Sequence, residues 1–429
     1  MTDRVVFYGD ATFSLFSGGL HILCDPWFNA PSVAGAFEKL PPCSVKVEDI
    51  PRPDYLYISH IHSDHCEYET LEALDKYIPV ILIDRDPNYL TRMLRTRGFK
   101  NLVFIPEGVP TQIQPGLTVE TFGATYPHVG GEVIDSSVLF TLHGKTILNC
   151  NDNTPEKEFC EKFARRNLQL DLAFIPPGGG GSYPSMYDNL ASKEKESILE
   201  KVQDEDLAVF SRAIDILKPK VVVPIAGGYA IRGLHPVEVN WQQNRIINSI
   251  DVVEYHQTHG KVPTLIVPLQ PEMEMDLDGK VIRGAYKALT IGELTSYFTQ
   301  LSVTPVDPLI RTRRKLDTLF HLLNKARANL WKKQIQKEML PDYRIYFDVE
   351  GQVDLFEIYL ISENFLRVLR TQSLTEPYLK ISLDQDTLLE WLLGFEDFNM
   401  LDSGHRIRFY RAPNQYVQEV YYLMSWFRL

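Results

Sequence analysis

Short apolar runs rich in β-branched and aromatic residues recur through the first 270 residues: RVVFYG, HILCDPW, YLYIS, PVILID, LVFIP, LTVETFG, SVLFTLHG, KTILNC, LAFIP and KVVVPIAG. Many end at Gly, Pro or Asp, residues that interrupt extended chain and start turns. Between them, apolar positions spaced by three and four predict helices at about 66–76, 86–97, 155–166, 191–217 and 236–250. So many short strands interleaved with helices predict an α/β domain built on two packed sheets rather than one doubly wound sheet.

The acidic segment PLQPEMEMDLDGKVIRG, residues 268–284, holds two prolines and reads as a connection, placing a domain boundary near 285. Beyond it the pattern changes. RTRRKLDTLFHLLNKARANLWKKQIQKE predicts a long cationic helix with Leu316, Leu319, Phe320, Leu323 and Ala326 on its core-facing stripe and a solvated basic back. YRIYFDVEGQVDLFEIYL alternates Ile345, Phe347 and Val349 with Val353 and Leu355 about a Glu350-Gly351 turn, a hairpin pattern. PYLKISL and HRIRFYR add strands; DQDTLLEWLLGF and NQYVQEVYYLMSWF add helices. Residues 285–429 are therefore expected to form a small α+β domain, and their element order resembles the sterol-carrier-like fold, which encloses an apolar cavity.

Composition narrows the function classes. A net charge of −12 and a pI near 5.5 disfavour nucleic acid and anionic membrane surfaces as partners. No stretch approaches the roughly 18 uninterrupted apolar residues of a spanning helix, and MTDRVVFYGD carries charges where a signal peptide has its apolar core. The expectation is a cytoplasmic protein. Five scattered cysteines without a CxxC pair read as buried free thiols, Cys150 and Cys66 included.

The densest chemistry lies in YISHIHSDHC, which places His60, His62, Asp64 and His65 directly after an apolar strand and before a helix. His60 and His62, two apart on extended chain, point the same way, while Asp64 and His65 fall where the chain turns and aim elsewhere. One loop thus offers ligands to two metals, and further ligands must come from other strand ends. Candidates are His128 in TYPHVGG, Asp152 in LNCNDNT and His235 in AGGYAIRGLHP, each just after a predicted strand.

The loop resembles the His-x-His-x-Asp-His motif of the metallo-β-lactamase superfold and matches it in full. The resemblance implies a first metal on His60, His62 and His128, a second on Asp64, His65 and His235, and Asp152 bridging them. Asp64 and Asp152 are then the catalytic carboxylates. Asp25 in LCDPW looks like the family's early strand-end aspartate, which orients a ligand histidine; a turn-forming role before Pro26 is the alternative. His143 in TLHGK is a rival third ligand but falls in an apparent hairpin turn. One departure stands out: GDATF carries Asp10 where the lactonase and phosphodiesterase branch has a histidine.

YISHIHSDHCEYETLEAL, KTILNCNDNTP, PPGGGGSYP and LKPKVVVPIAGGYAIRGLHP are together similar to stretches of the CMP-N-acetylneuraminate hydroxylase branch, and DTLLEWLLGFEDFNMLDSGHRIRFYRAPNQY more weakly so. That family opens with a Rieske domain needing Cys-x-His and Cys-x-x-His pairs, which do not occur in these 429 residues. The resemblance therefore implies a diiron oxygenase of a small polar metabolite, using O2 and electrons from a separate protein. The same ligands also suit a zinc or manganese pair, zinc acting on a bridging water to hydrolyse an ester, lactone or phosphodiester. Ligand types alone do not separate these; the motifs outside the loop favour the oxygenase.

Four consecutive glycines, Gly178 to Gly181, leave backbone N–H groups open to an anion, although the segment lacks the Lys and Ser/Thr of a P-loop. Gly179, Gly180, Tyr183, Tyr229 and Arg232 are the expected substrate contacts, with Tyr187 nearby; a flexible connector and ordinary surface residues are the alternative reading.

Overall fold

A computed structural model describes residues 3–29, 31–33, 35–85, 88–124, 135–178, 180–233, 236–243, 248–301, 319–363, 366–369 and 373–429. His128, His235, Gly179 and Leu316 lie outside the described residues.

All ten runs named above form strands, in two mixed sheets. The first runs Val281–Arg283, Glu274–Asp276, Arg4–Gly9, Thr12–Ser17, Leu20–Cys24, Tyr55–Tyr57, Val80–Asp84, Leu102–Pro106. The second runs Leu265–Ile266, Val221–Pro224, Leu172–Ile175, Lys145–Asn149, Ser136–Leu142, Leu117–Gly123, Thr111–Gln114. Their facing sides share one apolar core that includes Phe13, Leu15, Tyr57, Val119, Phe140 and Phe174, with the Phe13 and Phe174 rings stacked at 4.0 Å. Helices Tyr68–Ala73 and Tyr89–Thr96 cover the outer face of the first sheet. Lys157–Ala164 and Ser192–Leu217 cover that of the second, which gives four αββα layers.

Several details differ from the sequence-based expectation. Thr12–Ser17 is a buried strand whose serines interrupt the apolar run that would announce it. The stretch expected as a connection supplies two edge strands, Glu274–Asp276 pairing antiparallel with Arg4–Val6. Instead of one helix over 236–250 there are two, Pro236–Gln243 and Ser249–His259.

Leu319–Gln336 is helical, but its buried stripe runs Leu319, Leu323, Ala326, Arg327, Leu330, Gln334; Phe320 is exposed. This is the 3.6-residue stripe, and one step along the chain rotates Phe320 off it. Arg344–Val349 and Leu355–Tyr359 pair as the expected hairpin. Val353, however, is exposed in a longer turn. With Leu366–Leu369, Tyr378–Leu383 and Arg408–Ala412 they make a separate five-stranded sheet. Its core also takes in Tyr187 and Leu190 from the segment before Ser192–Leu217, and an isolated bridge joins Tyr187 to Phe409.

All five cysteines are free. Among the described residues no helix is long and apolar enough to cross a membrane.

Candidate metal centre

The strand Tyr55–Tyr57 lies parallel to Leu20–Cys24 with Cys24 opposite Tyr57, so both chains leave the sheet at the same end. There Asp25 and the loop beginning at Ser59 meet. Asp25 is fully buried and accepts from Ser59 N (2.7 Å), Ser59 Oγ (2.8 Å) and His65 Nδ1 (3.0 Å). Ser59 Oγ in turn lies 2.8 Å from His60 Nδ1, so the carboxylate orients His65 directly and His60 through one hydroxyl. With both Nδ1 atoms donating, both Nε2 lone pairs turn outward, which is how a carboxylate fixes the tautomer of a ligand histidine. Alanine at Asp25 strands these buried donors and is expected to cost about 3 kcal/mol in urea unfolding.

The second sheet supplies the opposite wall. Asp152 follows Lys145–Asn149, and Asp135 precedes the antiparallel neighbour Ser136–Leu142, where Val138 faces Asn149. Asp152 Oδ2 lies 3.0 Å from His65 Nε2 and 4.0 Å from His60 Nε2. Asp135 Oδ1 is 3.5 Å from His60 Nε2. Asp10 enters from the turn after Arg4–Gly9, in the left-handed region at φ 54°, with its Oδ1 accepting from Gly227 N at 2.8 Å.

Three ligand groups result: His60, His62 and Asp135; His60, His65 and Asp152; Asp10, Asp64 and His65. Within each group the donor atoms lie within 4.8 Å of one another. Asp10 and Asp135 were not anticipated. The sequence marks Asp10 only as a departure from a histidine, and Asp135 sits in VIDSS with no pattern to mark it. Of the anticipated ligands, the described residues bring together His60, His62, Asp64, His65 and Asp152, with Asp25 behind them. His143 occupies the turn at the far end of its strands, packed where a Cβ on Gly18 or Gly116 would come within 2.2 or 2.5 Å of its ring.

His60 Nε2 and His62 Nδ1 face each other at 2.8 Å. Two imidazole lone pairs at that distance repel unless a proton or a cation lies between them. Asp64 Oδ1 and Asp135 Oδ1 are buried with no hydrogen-bond partner among the described residues. Orphaned buried acceptors beside converging imidazoles are the donor set a cation satisfies.

The electrostatics agree. Burial pushes Asp64 up to about 7 and Asp135 to about 6, with Asp152 adding to both against the pull of nearby imidazoles. Burial and the two neighbouring imidazoles drive His60 down. Burial opposes protonation of His65 too, but Asp152, Asp64 and Asp25 outweigh it and hold that ring's pKa well up. Without a cation these groups share protons, which a metal ion displaces.

One carboxylate comes from the segment between two strands of the five-stranded sheet, Tyr378–Leu383 and Arg408–Ala412. Asp397 Oδ2 lies 3.3 Å from His62 Nε2, and Asp397 is itself held as the N-cap of Phe398–Ser403, accepting from Met400 N at 2.9 Å. Burial works against a charged His62, yet Asp397, then Asp135 and Asp64, carry it up to about 9. Asp397 thus places a carboxylate charge beside His62 Nε2, as Asp25 does beside His65 Nδ1.

A cavity of about 810 Å³ opens beside the cluster, lined by His62, Asp135 and Asp152 on one side and by residues of 180–187 and 399–421 on the other. Gly180 and Tyr183 line it; Tyr229 touches the Gly180 position, where a Cβ would lie 3.3 Å from its hydroxyl. Arg232 is outside the lining and pairs with Glu38 at 3.4 Å.

Residues 4–226 match the family model of the beta-lactamase superfamily domain, and the chain belongs to that superfamily. It is similar to the cytidine monophosphate-N-acetylneuraminic acid hydroxylase of Xenopus laevis, 25% identical over 236 residues, covering 52% of this chain and 38% of the relative. It is likewise similar to a Mycolicibacterium smegmatis protein named for a Rieske 2Fe-2S iron-sulfur group, 27% identical over 228 residues, 52% of this chain and 43% of that one. The chain thus spans less than half the length of these relatives. Among solved structures, CmlA, a diiron beta-hydroxylase from Streptomyces venezuelae, aligns with TM-score 0.45 and 18% identity over 64% of this chain and 54% of its own.

Proposed function

We propose that this chain is a dinuclear metal enzyme, a non-haem diiron oxygenase that hydroxylates or oxidises a small polar metabolite. O2 is the co-substrate, and electrons arrive from a donor protein not contained in these residues. The donor set carries the reading. Asp10, Asp64, Asp135 and Asp152 stand with His60, His62 and His65, a mixed imidazole and carboxylate shell of the kind non-haem iron takes, with two more carboxylates than the sequence marks. The kinship with hydroxylases over half the chain supports it.

In this reading His60, His62 and Asp135 hold one ion and Asp10, Asp64 and His65 the other, with Asp152 between them. His128 and His235 complete the sets as the superfold resemblance implies. Bound iron supplies the reduction of O2. The chain's own part is to orient: Asp25 and Asp397 aim the imidazoles, and the cavity holds the substrate against the Asp135–Asp152 side. Residues 285–429 act as a second, α+β unit that closes this cavity, and Gly180 approaches the substrate through backbone.

The test is metal analysis of protein from iron-supplemented cells, with its absorption spectrum and O2 consumption on reduction. Iron near two per chain and O2 uptake are expected. Stoichiometric zinc, no O2 chemistry and turnover of a lactone or phosphodiester identify the zinc hydrolase instead.

A further inference from the structure

We propose, resting on that reading of the metal-ligand cluster, that the adjoining cavity contains an oxyanion-binding subsite built on Arg411, so that the substrate is an organic anion with a ring or other flat apolar part.

Arg411 lines the same cavity as His62, Asp135 and Asp152. It is only 5% exposed, yet it forms no ion pair among the described residues. Its Nε donates to Asn414 Oδ1 at 2.8 Å and its Nη1 to Tyr421 Oη at 3.4 Å, while Nη2 has no hydrogen bond to the described residues. The guanidinium lies over the rings of Tyr183 and Tyr187, at 4.7 and 4.8 Å from their centroids. Tyr187 Oη donates to Tyr421 Oη at 2.9 Å, which fixes that wall. Asp402, also in the lining, accepts from the Ser182 hydroxyl.

A buried cation without a counter-charge is costly, and two aromatic faces offset only part of that cost. A guanidinium with a free nitrogen, set in a cavity, is completed by a carboxylate or phosphate that accepts its forked donors. The surrounding tyrosine rings supply flat apolar surface for the rest of the molecule. Such a ligand is anchored at one end of the cavity and presents its other end to the Asp135–Asp152 side.

The alternative is that Arg411 only pins the strand Arg408–Ala412 to the 183–190 segment. Calorimetric titration of the metal-loaded full chain with benzoate, phenyl phosphate and benzamide separates the two. At least one anionic probe is expected to bind about tenfold more tightly than neutral benzamide, and the tighter of the two anions names the group recognised. Arg411→Lys keeps the charge but loses the fork; it is expected to weaken the anions about tenfold and leave benzamide unchanged.

Equal binding of charged and neutral probes overturns the subsite. So does undiminished anion binding by a folded Arg411→Lys protein, which would put the anion on the metals. If Arg411→Lys fails to fold, the comparison of anionic with neutral probes on the unaltered chain decides the anion site, and Tyr416→Leu, in the cavity lining and 59% exposed, tests the aromatic wall. It is expected to weaken all three probes about threefold, and no change there refutes the aromatic wall. Metal content and O2 uptake are read on the same samples, so a protein that discriminates the anions but shows no O2 chemistry loses the oxygenase reading and keeps the subsite.

Discussion

Asp152→Ala and His65→Ala proteins are each expected to retain about one metal ion per chain or less, with turnover lost, when purified as the unaltered chain and analysed by plasma emission. Asp152 approaches both His60 and His65 and is the only carboxylate placed between the two ends of the cluster among the described residues. His65 is shared by two of the three ligand groups. Its Nδ1 is committed to Asp25, so no other ring atom can substitute. Removing either residue leaves a charge imbalance as well as a missing donor. Loss of Asp152 removes the negative charge that most strongly favours the charged His65 ring and leaves crowded imidazoles without it; loss of His65 leaves Asp10 and Asp64 without the imidazole they share. Two ions at full occupancy in both variants would show that the ligands lie elsewhere.

What the sequence made legible here follows from how locally each feature is encoded. The four-residue motif at His60–His65 needs only a strand end and a tight loop, and its geometry is set within a few peptide units. Asp152 and Asp25 each end a run of apolar strand, so period and punctuation mark them. Asp135 and Asp10 depend on which strands become neighbours, and nothing in VIDSS or GDATF states that Ser136–Leu142 will pair with Lys145–Asn149 or that Asp10 will reach Gly227. The extended and helical elements were readable where apolar residues kept one period. Thr12–Ser17 is hidden because serines are buried in it, and Phe320 falls one residue outside the buried stripe that Leu319 and Leu323 define. Least visible was the contact between the chain around the five-stranded sheet and the metal-ligand cluster. Asp397 and Arg411 belong to the five-stranded sheet's segment, yet their significance comes from His62 and Tyr183 across the cavity.

That contact makes removal of residues 301–429 the harshest alteration short of the ligands themselves. The shortened chain is expected to be insoluble or to bind its metals at least about tenfold more weakly. Tyr187 and Leu190 would lose the core into which they are packed, exposing aromatic surface on the segment that leads into Ser192–Leu217. Tyr68 Oη would lose Phe395 O, Ser185 Oγ would lose His405 Nε2, and Asp188 would lose Arg408. His62 would lose the Asp397 carboxylate that lies 3.3 Å from its Nε2. Asp397→Ala in the full chain isolates this last effect. It leaves the packing in place and is expected to lower metal affinity about 10- to 100-fold, measured by competition with a chelator, with little change in solubility. A soluble truncated protein with undiminished metal affinity would mean that the second unit neither completes the fold nor orients His62. Weak metal binding by Asp397→Ala combined with an insoluble truncation would assign the two roles to different contacts of the same unit: the core around Tyr187 for folding, and the cap of Phe398–Ser403 for the metal site.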